Sequence, residues 1–427
     1  MTFILILLAL GWGISAWQKP RLAILTFPAL LPVYLLRAKL GPLPTTLLEL
    51  LWLATVCGVT LKSGWHIWTQ GWLNAKSWHL ALALWCLATI VAIFVAPNHV
   101  AALGLWRAYI LEPILYFILL LAFLNNEKDR NVVIKSLITV TTFIVAWSAI
   151  QFLTGHGIPH PWDTGFMTRR ATGPFPFPNA AALFCAPIAA LCFGLVLFWV
   201  SSSKSQATRY QLPATFLWLG FSSATLATLL AKSLSGSLAI LGCVLFSLII
   251  KRKTRWYAVA AALLGIVMIL AVPTLRNTTF QTLSFHGWSG KVRLIMWQET
   301  WNMLKDRPIL GAGLGAYPTM FKPYHTATYI EIFQYPHDIL LNLWSETGLL
   351  GILAFAWLVF IWIKLSARPK FDATRFALCA LPLIAILIHG IADVPYFKND
   401  LAFMFWILAA LASSLEMIDT KNPSAQS

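Results

Sequence analysis

Apolar runs of membrane-crossing length recur from one end of this chain to the other, and that repetition sets its architecture. A spanning helix needs roughly 20 apolar residues, with about 17 as a lower bound. Inside lipid the backbone has no water to bond, so each run must satisfy its own N–H and C=O groups as a helix. The runs lie at about 3–17, 22–36, 45–61, 78–96, 105–124, 132–153, 180–200, 213–230, 235–250, 256–272, 347–364, 376–392 and 399–416. The first, second and ninth are short, so about twelve or thirteen spans are expected. With 59 % hydrophobic and 11 % charged residues and a mean hydropathy of +0.74, the chain is too apolar for a soluble domain. The fold class that follows is all-α: a polytopic transmembrane helical bundle with one larger outer loop containing short helices.

Short charged loops orient the bundle. Lys251, Arg252, Lys253 and Arg255 form one basic cluster, and Lys364, Arg368, Lys370 and Arg375 another, each beside a span. Cytoplasmic loops carry the excess of Lys and Arg, so both clusters belong inside and parity puts 154–179 and 273–346 outside. The chain then divides into an N-terminal transmembrane bundle (1–272) with the outer loop 154–179, a large outer loop (273–346), C-terminal transmembrane helices (347–416) and a cytoplasmic tail (417–427). The side on which the N-terminus lies turns on the parity of the early spans. No basic residue precedes the first apolar run and no small-residue cleavage site follows it, so it reads as a retained helix and not a signal peptide. The net charge of +16 is spread over loops, which argues against nucleic acid as a partner. The six cysteines all fall within apolar segments with no CxxC pair, and they read as small core hydrophobes.

Polar residues that interrupt this pattern are few. Thr46 and Glu49 have capping-box spacing, which favours a helix start for Glu49 over a buried functional acid. Arg107 and Glu112 are ionisable groups inside an apolar run and are functional candidates by default. Five residues apart, they do not share an α-helical face, and Pro113 follows at once. They read equally well as a structural polar contact or as a site wall. In the first outer loop Pro174, Pro176 and Pro178 impose a stiff, extended backbone. Asn179 is placed to cap the helix that follows, and Arg169 and Arg170 sit on the stiff segment beside the membrane surface. A solvated positive pair is the plain alternative for these arginines. In the second outer loop, SGKVRLIMWQETWNMLKDRP sets Ile295, Met296, Trp301 and Leu304 among polar residues. That is the pattern of an amphipathic helix lying on the membrane or on the bundle. Arg293, near its start, is either a ligand-reaching group at the lipid–water boundary or an ordinary snorkelling arginine.

The longest stretch that cannot sit in lipid runs from Asp306 to Gly351. Pro308, Gly311, Gly313 and Gly315 mark a tight turn that brings backbone near a partner. GAGLG follows no strand and precedes no GK[ST], so it fails the context test for a nucleotide loop. Pro336, His337 and Asp338 read as a helix start, with Asp338 in the first turn. That start places His337 at a helix N-terminus, where the macrodipole disfavours imidazolium and leaves a ring able to accept a proton. Asp338, Asn342, Ser345 and Glu346 form a polar stripe, expected to face a bundle interior or a water-filled cavity.

DRPILGAGLGAY, followed after a loop by HDILLNLWSETGLLG, closely resembles the signature of the O-antigen ligase and O-antigen polymerase family. RRATGPFPFPNAA resembles the family's upstream Arg-Gly-Pro-Asn element, and IADVPYFKNDLAFMFWILAAL its C-terminal span. The resemblance covers about residues 100–415, and the family's His-Asn pair stands here as His337-Asp338. It implies a C-type transmembrane glycosyltransferase fold and a metal-independent, inverting enzyme without a cofactor. Such an enzyme takes a glycan from undecaprenyl diphosphate at the outer face of the cytoplasmic (inner) membrane and passes it to a glycan, a lipid A core or a protein hydroxyl. A lipid diphosphate is its own activated leaving group, so no nucleotide is needed. Its charge calls for guanidinium forks, for which Arg170, Arg169 and Arg293 are the candidates. The acceptor hydroxyl needs a base within hydrogen-bond reach, and His337 is the best outer candidate. Outer acids are few and show no DxD pairing, so no metal site is expected. Asp338, Asn342, Glu346 and Asn179 are candidates for supporting roles. A transporter or flippase of lipid-linked oligosaccharide is the alternative; it calls for charges deep in several spans and paired broken helices from two repeated halves.

Overall fold

The computed structural model describes residues 2–40, 43–201, 212–367 and 376–421. Over these residues the regular structure is helical apart from one short antiparallel hairpin, β1 (Arg37–Leu40) with β2 (Leu43–Thr46), in which Arg37 faces Thr46 and Lys39 faces Pro44. Before the hairpin come α1 (Thr2–Gln18) and α2 (Pro20–Thr26), which runs on into a 3-10 segment at Phe27–Leu35. After it follow α3 (Leu47–Ser63), α4 (His66–Asn74), α5 (His79–Val95), α6 (His99–Trp106), α7 (Glu112–Phe123), α8 (Glu127–Thr154) and α9 (Pro178–Ser201). Then come α10 (Ala214–Leu230), α11 (Leu234–Ile250), α12 (Arg255–Ala271), α13 (Pro273–Leu283), α14 (Trp288–Asp306) and α15 (Tyr317–Phe321). The chain closes with α16 (Ile339–Ser366), α17 (Leu381–Gly390) and α18 (Asn399–Lys421).

Every apolar run read from the sequence is helical, and the architecture is an all-α polytopic bundle. The number of full-length spans differs from the twelve or thirteen expected. Among the described residues, five stretches are long and apolar enough to cross a membrane: Lys76–Val95, His99–Phe123, Glu127–Thr154, Pro178–Leu197 and Ile339–Ser366. A sixth arises if α3 and α4, bent by 107° at their junction, count as one broken span. Six further apolar helices have 10–17 residues. Local breakers explain the shortfall near the N-terminus. Pro28, at the start of the 3-10 segment, divides one run into α2 and that segment, and Gly64, in the left-handed region, stops α3.

α18 is the axis of the bundle. Every residue from Leu401 to Leu415 is buried, and a helix apolar all round belongs in a core. It packs against α7, α9, α16 and the 3-10 segment. Phe403 meets the rings of Phe27, Trp52 and Tyr116, while Trp406 meets Trp78 and Phe117. At the periphery α12 exposes Leu263, Leu264, Ile266, Val267 and Leu270, a surface suited to lipid.

Glu49, Arg107 and Glu112 form a polar cluster inside this bundle. The capping box at Thr46 and Glu49 forms in both halves, at 3.3 and 3.1 Å. On a regular α-helix Arg107 and Glu112 fall on different faces, and here the structure differs. Arg107–Leu111 form a π turn, whose extra width aligns residues five apart, and Arg107 Nε lies 3.4 Å from Glu112 Oε1. Arg107 Nη2 also reaches Glu49 Oε2 at 2.8 Å, and Glu49 Oε1 accepts from Asn399 Nδ2 at 3.0 Å. Glu49 is therefore both a cap and a buried ion-pair partner.

α16 is interrupted at Gly348, whose φ is +67°. The break frees main-chain groups, and the GAGLG turn takes them up. Ala312 N and Gly313 N donate to the Ser345 carbonyl at 2.7 and 3.2 Å, and Leu349 N donates to the Ile309 carbonyl at 2.9 Å. The partner that the tight turn approaches is thus α16 itself, together with the end of α5, where Leu314 N donates to the Ala92 carbonyl at 3.2 Å. A Cβ on Gly311 would lie 2.3 Å from the Trp344 carbonyl oxygen, and one on Gly348 2.3 Å from that of Ile309.

The described parts of the basic clusters lie at the ends of helices remote from the loops 154–179 and 273–338. α11 starts at Leu234, beside the Ala231 carbonyl that binds Arg170, and ends where Lys251 begins. Lys364 sits in the last turn of α16, whose first residue follows Asp338. Arg368, Lys370 and Arg375 lie outside the described residues, as do the last six positions of the C-terminal tail, 422–427.

Gly311→Ala and Gly348→Ala are each expected to lower the thermal midpoint of the detergent-solubilised protein by several degrees, a cost of about 1–3 kcal/mol. Gly265→Ala, where a Cβ meets open space in α12, leaves the midpoint nearly unchanged. Equal midpoints for all three variants would show that the joint is not tight.

Candidate active site

The segment before α16 is pinned from both sides. Trp297 Nε1 donates to the Pro336 carbonyl at 2.8 Å, and Asp338 Oδ1 accepts from Leu341 N at 2.8 Å. Asp338 is therefore the N-cap of α16 and not a first-turn residue, because the short carboxylate captures a free amide better from outside the helix. His337 stands one residue further out, with φ +51°, a conformation uncommon for a side-chain-bearing residue and concentrated at functional sites. Its ring meets Phe333 and Tyr335 edge-on, with centroids 5.3 and 4.7 Å away. Nδ1 lies 3.3 Å from Asp393 Oδ1. The ring is thus oriented by a carboxylate and not by the helix end, and Nε2 is left as the nitrogen available to a ligand.

Asp393 lies in the connection between α17 and α18 and has no exposure to solvent. Its Oδ2 accepts from Asn179 Nδ2 at 3.1 Å, and its Oδ1 accepts from Val394 N at 2.9 Å. Tyr335 is a further hydrogen-bond partner. Burial opposes ionisation of this carboxyl. The hydrogen bond and charge of His337, the charge of His389 and the Val394 amide outweigh burial and hold the pKa at about 2. Asp393 is an anion throughout the physiological range.

Arg170 is held toward this anion. Its Nη2 donates to Asn179 Oδ1 at 2.7 Å, its Nε donates to the Ala231 carbonyl at 2.9 Å, and its guanidinium lies 4.9 Å from the Trp162 ring. Arg169 turns away, as successive residues of an extended segment do. It donates to the Phe152 carbonyl at 3.1 Å and lies over Phe166. Arg293 comes from α14, with Nη1 2.6 Å from Ser289 Oγ and a buried Nε without a partner. α14 buries Val292, Met296, Glu299, Thr300, Met303 and Leu304 on one face, so it is amphipathic, although Trp301 lies outside that face. Burial pulls the Arg170 guanidinium below its usual value, the Arg293 charge adds to that, and Asp393 opposes it. Burial draws Arg293 down as well, against Asp393 and Tyr335. Both groups stay protonated through such shifts. Two half-buried cations share Asp393 as an anion, an arrangement suited to a further negative charge.

The supporting residues have different tasks. Asn179 is not a cap: α9 begins at Pro178, and the Asn179 amide instead bridges Arg170 and Asp393. Proline suits a first helical position, which displaces Asn179 inward. Glu346 accepts from the Gly315 and Tyr317 amides and ties the glycine turn to α16. Asn342 and Ser345 are buried, and their side-chain polar atoms have no partner. Asp393, Tyr335 and His389 are the neighbours that reasoning from the sequence did not single out. Asp393 carried one signal: an acid between two apolar runs is itself unusual.

Because the folded-state pKa of Asp393 lies below its ordinary value of 3.8, its contribution to stability is full above about pH 4 and is lost as pH falls through about 2. Asp393→Asn is therefore expected to lower the thermal midpoint at pH 6, by about 2 kcal/mol of stability. The gap from the parent should narrow as pH drops below 4. A gap that does not change with pH would contradict the ionised assignment.

Residues 216–356 match the family model described as O-antigen ligase. That stretch runs from α10 past the break in α16. It includes Arg293, His337, Asn342, Glu346 and the glycine turn, and it excludes Arg170, Asn179 and Asp393. No curated protein matches the chain. The bundle of apolar helices is that of a multi-pass membrane protein, and the stretch that carries the glycine turn and His337 is similar to the O-antigen ligase family.

Proposed function

We propose that the protein is an inverting glycosyltransferase that moves a glycan from undecaprenyl diphosphate to an acceptor hydroxyl at the outer face of the cytoplasmic membrane. The observation that carries this reading is the convergence of separate segments on one carboxylate. Arg170 reaches Asp393 through Asn179, Arg293 feels it from α14, and His337 contacts it directly. The outer location is supported by the basic ends of α11 and α16, which lie away from the site.

In this reading Arg170 and Arg293 hold the diphosphate, and their charge stabilises the undecaprenyl diphosphate that leaves. They take the part that a divalent cation plays on other diphosphates, so the reaction needs no metal ion. Asp393 keeps a proton on the Nδ1 side of His337 and so presents Nε2 as the base. The acceptor O–H gives its proton to Nε2 while its oxygen attacks the anomeric carbon. The bond from that carbon to the diphosphate oxygen breaks on the opposite face, which inverts the configuration. A glycan, a lipid A core and a protein side chain all offer the same nucleophile. Arg169, turned toward Phe152, takes no part.

The test is transfer by purified protein supplied with an undecaprenyl-diphosphate glycan and an acceptor. His337→Ala is expected to reduce turnover by about 10²–10⁴, and Asp393→Asn by about 10–10³ with little change in donor KM. Arg170→Lys and Arg293→Lys should raise donor KM by about tenfold or more, because a point charge replaces a fork. Arg169→Lys is the control and stays within about threefold. Normal transfer by His337→Ala, or carrier translocation across liposomes without bond formation, would sink the proposal.

A further inference from the structure

Behind Asp393 lies a second group of polar side chains that the mechanism does not use. Asp400, in the first turn of α18, is fully buried; its carboxylate meets the main-chain amides of Asp400 and Leu401 but no side-chain hydrogen-bond donor. Its nearest cation is Lys398 Nζ, 3.9 Å away. Lys398 Nζ lies 5.0 Å from the rings of both Tyr34 and Phe175 and has no hydrogen-bond partner. The Tyr34 hydroxyl is buried and unpaired as well. Tyr109, on the π turn, is within electrostatic reach of Asp400, Glu346 and Glu49. The group adjoins the diphosphate end of the site, since Lys398 feels Asp393, and Tyr34 feels Tyr335.

Asp400 has only main-chain amides and a cation 3.9 Å away, while the Lys398 ammonium and the Tyr34 phenol lack hydrogen-bond partners, so the group favours a polar occupant. Its chemistry is narrow. A polyprenyl tail cannot satisfy charges, and a second phosphate would be repelled by Asp400. A sugar ring suits all of them: its hydroxyls donate to a carboxylate and accept from an ammonium and phenols, while its C–H face lies against aromatic rings. Since the group borders Asp393 and Tyr335, the ring in reach is the one joined directly to the diphosphate.

Building on the transferase reading, we propose that Asp400, Lys398, Tyr34, Tyr109 and Phe175 form the subsite that holds the first sugar of the donor and selects it by its hydroxyl pattern. Asp400 is the discriminating residue, because a carboxylate accepts from two neighbouring hydroxyls at once, whereas the amide of Asn accepts through one atom only.

The experiment measures binding of two probes to the full-length protein in nanodiscs: undecaprenyl diphosphate alone, and undecaprenyl diphosphate bearing one N-acetylglucosamine. Asp400→Asn and Tyr34→Phe should each weaken the sugar-bearing probe by about tenfold or more while leaving the sugar-free probe within about twofold. Tyr34→Phe removes only a hydroxyl and carries the test if Asp400→Asn does not fold. Equal weakening of both probes, or no change in either, overturns the subsite. Wild-type protein that binds neither probe removes the transferase reading itself, a result distinct from loss of sugar dependence.

Discussion

A carboxylate sealed from water organises the end of this bundle that carries His337 and the two arginines. Asp393 meets Asn179 at the start of α9, and His337 and Tyr335 ahead of α16, and through Asn179 it reaches Arg170. An anion in such a place is tolerated only when its lone pairs are taken and its charge is answered. Asp393 meets both conditions, and the neighbours that answer it are thereby given their positions. The imidazole faces outward because its other nitrogen faces inward. The two guanidinia remain close because the anion between them offsets their repulsion.

A second constraint comes from the apolar surroundings. Irregular backbone is stable there only where its freed groups are taken up by protein. The break at Gly348 meets this condition through the glycine turn, and the π turn at Arg107–Leu111 is accompanied by a buried Arg–Glu cluster. Both distortions adjoin polar side chains, Glu346 in the first case and Glu112 in the second. The glycines that resembled a nucleotide loop are instead a joint between a loop and a helix, and their lack of Cβ atoms is what lets the two backbones touch.

Much of this was legible in the residues, for reasons specific to each. Apolar runs became helices because hydropathy is a local property that lipid enforces. Thr46 and Glu49 made their capping box because that motif closes within one turn. His337 and Arg293 stood out because ionisable residues are rare in such a chain, and the structure brings both toward Asp393. Other features were not legible. Arg169 and Arg170 are the same residue type side by side, and only the path of the loop sends one inward. Asn179 read as a cap until Pro178 took the first helical position. Arg107 and Glu112 read as lying on different helix faces because a π turn leaves little trace in composition. Glu346 read as a candidate for a supporting role, and only the fold shows that its carboxylate accepts from the glycine turn.

Sequence by itself determined the helical class, the membrane setting, the polar stretches that cannot enter lipid and the family that they resemble. Each of these depends on residues close together in the chain, where periodicity, capping and hydropathy act. Tertiary structure alone decided that Asp393 would face His337 from 56 positions away, which arginine would join them, and how long each helix could run. Those outcomes depend on pairing charges and packing side chains across the whole bundle, and the free energy of burying an anion is defined only once the far-removed partners have been brought to it.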